Sequence, residues 1–165
     1  MELTKEMMDK LANDFVEYLP MWTKVSDEMG KLKEYSLELY EDLFNAGMIS
    51  GSGERTIQFL FGIVFKTLEE RQNLVTQAIS CLKGEGGDAD ALLEKLGWNL
   101  DEEKRLSEKA DEEFTGMVPM HLMSNEGLQM IQIGDDLCRF LKKDQMAARA
   151  LVDAWIAAVQ PESCE

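Results

Sequence analysis

The stretch Ile57-Gln-Phe-Leu-Phe-Gly-Ile-Val-Phe65 decides the fold class. Aromatic and β-branched residues dominate it, so in isolation it reads as well as a buried strand as it does a helix. Its surroundings favour helix. Leu60, Phe61, Val64, Leu68, Val75, Ala78, Ile79 and Leu82 keep one helical phase far beyond Phe65, and no partner strand is legible elsewhere. A helix apolar on nearly all sides is normally surrounded by other helices. The expectation is therefore a long apolar central helix over about 54–83.

The flanks are helical in the same way. Leu3, Met7, Met8, Leu11, Phe15, Tyr18 and Leu19 recur at i, i+3/i+4, i+7, and Pro20 is expected to end that element. Ser26, followed by Asp27 and Glu28, reads as the N-cap of a second helix that Gly47 stops. Gly51-Ser-Gly-Glu54 reads as a turn, and Gly84-Glu-Gly-Gly-Asp88 as the clearest internal break. Asp88 would cap a short helix ending at Gly97. Asn99-Leu-Asp-Glu102 resembles a capping box for another helix running to about Gly116. The last third carries two stripes, one through Leu128, Ile131, Leu137, Cys138 and Leu141, the other through Ala147, Ala150, Leu151, Ala154, Trp155 and Ala158. The expected architecture is all-α: a single-domain bundle of about six to seven helices over 1–165, with a possible sub-division at 84–87. No repeat of 30–45 residues is present.

Composition narrows function. The 165 residues are 45% hydrophobic and 30% charged, which is globular, with a net charge of −15. Residues 1–83 hold 9 basic and 14 acidic side chains, whereas 85–113 alone hold 4 and 11. Such a surface repels phosphate backbones and anionic lipid, so neither nucleic acid nor membrane is expected as a partner. It suits a basic protein, although acidic charge also serves solubility. No basic leader precedes an apolar run, and no segment reaches the length of a membrane span, so a cytoplasmic location is expected. Cys81, Cys138 and Cys164 are too few and too scattered for a disulfide framework or a metal knuckle.

Catalytic constellations are missing from the pattern. His121 is the only histidine, which removes His-x3-His and Glu-x2-His metal sites, and no Gly-x-Ser-x-Gly elbow exists. Gly51-Ser-Gly-Glu-Arg-Thr56 precedes a helix as a phosphate loop would, but it follows a helix and lacks Gly-Lys-Ser/Thr. Consecutive acids at Asp101, Glu102 and Glu103, and at Asp111, Glu112 and Glu113, point in different directions on a helix and read as a solvated face. Met117, Met120 and Met123, spaced three apart beside His121, form the one arrangement with soft-ligand character, suited to Cu(I) or haem iron. The plainer readings are core packing or an adaptable, Met-rich surface that grips a partner. Trp22, Trp98 and Trp155 read as packing residues, with the rider that an exposed tryptophan is a strong interface anchor.

The expected function is therefore a non-enzymatic, acidic helical interaction module: an adaptor, a chaperone-like factor or an inhibitory or regulatory protein. Its expected contact residues are Met117, Met120, Met123, Asp101, Glu102, Glu103, Asp111, Glu112 and Glu113. No cofactor is called for, and a homodimer is an alternative use of the spare apolar surface. The competing expectation is a ligand- or metal-binding bundle using the 117–130 region with His121, Met117, Met120 and Met123.

Overall fold

Each helix of the bundle carries a buried stripe at alternating steps of three and four, the spacing that keeps one face turned to neighbouring helices. In a computed structural model, which describes residues 4–49, 51–118 and 125–159, four helices account for these stripes. They are α1 (Lys5–Asn45), α2 (Gly53–Leu82), α3 (Ala89–Met117) and α4 (Asn125–Val159). The all-α bundle is as expected. The number of helices is not six or seven, and the reasons are local.

Pro20 lies inside α1 rather than ending it. Proline removes one N–H and crowds the carbonyl four residues back, at about 3 kcal/mol or more. Here it is exposed on the solvent face, where water can take up the freed carbonyl. Phe15 and Tyr18 before it and Met29 after it are buried. The stripe therefore runs straight through the proline, and Ser26 is an interior residue, not a cap. In α3, Gly97 and Asn99 likewise sit mid-helix. Asp88 does cap it as expected, accepting from the N–H groups of Asp90 and Ala91 at 3.1 and 3.3 Å. The last third is one helix with one stripe: Met130, Ile133, Leu137, Leu141, Asp144, Ala148, Val152 and Trp155 are buried, while Ala150 and Ala154 face solvent.

Gly47 (φ +73°) stops α1 in the left-handed conformation, and the N–H of Met48 returns to the Leu43 carbonyl at 2.9 Å. The next helix starts close against the last: the N–H of Gly53 donates to Tyr40 Oη at 3.1 Å, and a Cβ at Gly53 would sit 2.3 Å from the Tyr40 ring. Only glycine fits there.

The segments 46–52 and 83–88 are short, so consecutive helices run antiparallel. Cross-helix contacts agree: Tyr18 and Tyr40 of α1 meet Arg71 and Gly53 of α2, and Tyr18 and Tyr35 of α1 meet Asp144 and Gln129 of α4. The helices form a ring in which α1 packs on α2 and α4, and α3 packs on α2 and α4. α2 is thus one stave of four, with Phe59 64% exposed, and not a central apolar helix. No described helix is long and apolar enough to cross a membrane.

The interior divides into two apolar clusters, each built from all four helices. One holds Leu43, Phe61, Phe114 and Met130; the other holds Phe15, Ala78, Leu96 and Trp155. Residues on both sides of the 84–87 break contribute to both.

Candidate functional site

Between the two apolar clusters lies a layer of buried polar side chains, one or two from each helix. In α2 the buried positions step 57, 61, 64, 68, 71, 75, 78, 82, and Arg71 occupies its place in that stripe with no exposure. Glu103 and Asn99 of α3, Asp144 of α4 and Tyr18 of α1 do the same in theirs. Arg71 is the hub. Its Nε donates to Asn99 Oδ1 at 2.5 Å, Nη1 to Asp144 Oδ2 at 2.9 Å and to Tyr18 Oη at 3.2 Å, and Nη2 to Glu103 Oε1 at 3.1 Å. Tyr18 in turn donates to Asp144 Oδ1 at 2.8 Å, and Asn99 Nδ2 to the Thr67 carbonyl at 2.9 Å.

The electrostatics follow from the geometry. Burial alone would lower the Arg71 pKa, but Glu103, Tyr18 and Asp144 outweigh it and keep the guanidinium charged. Burial raises the Tyr18 phenol above its ordinary range, so it stays a donor. Glu103 is pushed up to about 9, first by burial and then by the neighbouring Asp144 carboxylate, against the pull of Arg71. Two carboxyl groups thus face one guanidinium, and Glu103 Oε2 is buried without a hydrogen-bond donor. Charged groups are seldom buried unless paired, and replacing such a cluster by apolar side chains is often neutral or stabilising. What the layer does supply is register: sliding any helix by one turn would strand a charge in hydrocarbon. Arg71, Glu103 and Asp144 are completely buried, and Asn99 is the member of the layer that reaches a surface groove.

The residues singled out from sequence are scattered around this layer. Glu103 belongs to it and is not on the acidic surface, a correction with a plain cause: it occupies a core position of α3. Asp101 is exposed and pairs with Arg149 of α4 at 2.9 Å, while Glu102 pairs with Arg105 at 2.5 Å. Asp111 and Glu112 are exposed and Glu113 is half-buried. Asp111 lies within hydrogen-bonding reach of Asp135 across the α3–α4 seam, which pushes the Asp135 carboxyl up. Glu112 and Glu113 also line the groove at the start of α2 with Ser52 and Thr56, so the glycine-rich turn faces carboxylates, a poor setting for a phosphate.

Met117 is half-buried against the apolar cluster, its sulfur 3.1 Å from where a Gly53 Cβ would stand, and Met130 is fully buried. Met120, Met123 and His121 lie outside the described residues, as does Cys164. Among the described residues no group of three or more His, Cys, Asp or Glu side chains is placed to hold a metal ion. Cys81 and Cys138 are free and half-buried.

One feature of the surface differs from the expected packing. Trp22 is tied to the Leu68 carbonyl at 2.7 Å and Trp155 is in the core, but Trp98 is 65% exposed. It stands over a groove of about 350 Å³ between α2 and α3, lined also by Glu70, Asn73, Leu74, Lys95 and Glu102, with Asn99 at its floor. Toward the other end of the same seam Phe59 stands over a second groove, of about 390 Å³, with Arg55, Ile63, Lys109 and Glu113. Comparison with protein family models, curated proteins and solved structures finds no match to this chain.

Proposed function

We propose that this chain is a non-enzymatic, acidic helical binding module, an adaptor or an inhibitory or regulatory protein, that engages a basic protein partner along the α2–α3 seam. The observation that carries the reading is Trp98, a large aromatic side chain held 65% exposed on a rigid helix above a groove. Tryptophan is among the side chains that contribute most when buried at an interface. Burying its apolar surface is worth about 2–3 kcal/mol. Glu70 and Glu102 flank it with Lys95, and Glu112 and Glu113 stand farther along α3 beside the start of α2. This moves the apolar contact from the methionines at 117–123 to Trp98 and Phe59, and leaves the electrostatic part of the surface on α3.

The test is capture from the source cell with the wild-type chain and with Trp98→Ala as paired baits, each eluted across a salt gradient. A specific partner is expected on the wild type, released by salt, and retained at least tenfold less by W98A. Equal retention by both baits, or retention indifferent to salt, removes the proposal. Sedimentation of the isolated chain covers the remaining occupant: a dimer abolished by W98A would make the partner a second copy.

A further inference from the structure

We infer that Glu103 and Asp144 share one proton inside the bundle, Glu103 donating it to Asp144, and that this proton is what lets the polar layer latch the four helices together. The count of charges and donors requires it. Glu103, Asp144 and Arg71 are all completely buried, so two ionised carboxylates beside one guanidinium would leave a net negative charge in the interior. Among the described residues, Arg71 and Tyr18 are the donors that reach Asp144, and Arg71 is the donor that reaches Glu103, through Oε1. That leaves Glu103 Oε2 as a buried acceptor with nothing to accept, while a second carboxylate is bonded to the same guanidinium. Two buried carboxylates bonded to the same guanidinium, at 2.9 and 3.1 Å, repel each other, and a proton on one of them removes that repulsion. Placing it on Glu103 satisfies the orphan oxygen, neutralises the layer, and leaves Asp144 as the single counter-ion of Arg71.

The charged and titratable groups facing this pair are few. α1 presents Tyr18, α2 presents Arg71 and α4 presents Asp144, while on α3 itself Glu102 and Arg105 pair with each other at the surface and Lys104 is exposed. Tyr18 and Arg71 are both held in their protonated forms, so Glu103 is the group of the layer that changes charge between neutral and alkaline pH. The direction is that of an acid whose folded pKa lies above its unfolded one. Below about 4.5 both states are protonated and the contribution is fully present. It declines as the unfolded chain ionises first, and is gone once the folded acid also ionises, at about 9. Unfolding in that window releases a proton.

The experiment compares denaturant unfolding of the wild type and Glu103→Gln from pH 5 to pH 10. Glutamine copies the neutral acid and cannot ionise, so E103Q is expected to unfold with a much flatter pH dependence. The ratio of the two unfolding constants should rise by up to about tenfold per pH unit toward pH 9. A ratio that stays constant across the range, with E103Q the weaker protein throughout, means an ordinary ion pair to Arg71 and overturns the inference. Infrared spectra of the wild type carrying 13C-carboxyl glutamate give a second reading that needs no variant. A carboxylic-acid carbonyl band is expected at pH 7 and should vanish on titration above about 9; its absence at pH 7 overturns the inference equally.

Discussion

Arg71 shows how little of a buried charge's role is visible in its own pairwise energy. Its four hydrogen-bonded partners come from the three other helices, so truncating it removes the hub while leaving Asp144 interred. Arg71→Leu is expected to cost about 3–5 kcal/mol in a denaturant melt. The triple variant Arg71→Leu, Glu103→Leu, Asp144→Leu is expected to recover most of that loss, because no charge is then left behind in the core. Failure of the triple variant to improve on the single would show that the layer contributes net stability beyond satisfying itself. The layer was legible in the chain, but only as a gap. The apolar stripe of α2 steps by seven from Leu68 to Val75 and that of α4 by seven from Leu141 to Ala148, and a charged residue stands in phase in each gap. Reading polarity as exposure hid both, and turned Glu103 into a surface acid.

At the scale of an element, α1 is the instructive case. It is 41 residues long, about 60 Å of helix, with a proline in its interior. Pro20→Ala restores an N–H and relieves the ring's contact with the preceding turn at an exposed site, so it is expected to stabilise the protein by up to about 3 kcal/mol. A higher denaturation midpoint checks it; an unchanged midpoint would mean the helix is already bent to accommodate the ring. Helix class was readable throughout because each stripe holds its phase over many turns. Helix number was not, because caps and breakers are local signals. Ser26, Gly97 and Asn99 have the chemistry of helix ends, yet each lies within a stripe whose burial on both sides outweighs a residue's preference of about 1 kcal/mol. Where no stripe crosses the punctuation, at Gly47 and at 84–88, the signals hold.

Over the whole molecule, surface and interior carry different information. The net charge of −15 follows from composition alone, but the exposure of Trp98 does not. A tryptophan one residue before buried Asn99 is turned about 100° away from it on the helix, a matter of phase that hydropathy cannot supply. The ring of antiparallel staves has a separate implication. The outer ends of α1 and α4 lie at the end of the bundle where Phe15 meets Trp155, their ring centroids 6.0 Å apart, and the 83–88 connection lies at that end too, beside Leu82 and Leu92. Chain order and packing order are therefore separable. A circular permutant that joins residue 159 to residue 5 through a short glycine–serine linker and opens between Gly86 and Gly87 should refold, with the same helical circular dichroism and a single cooperative melt. The molecule would then begin at α3 and still close the same ring.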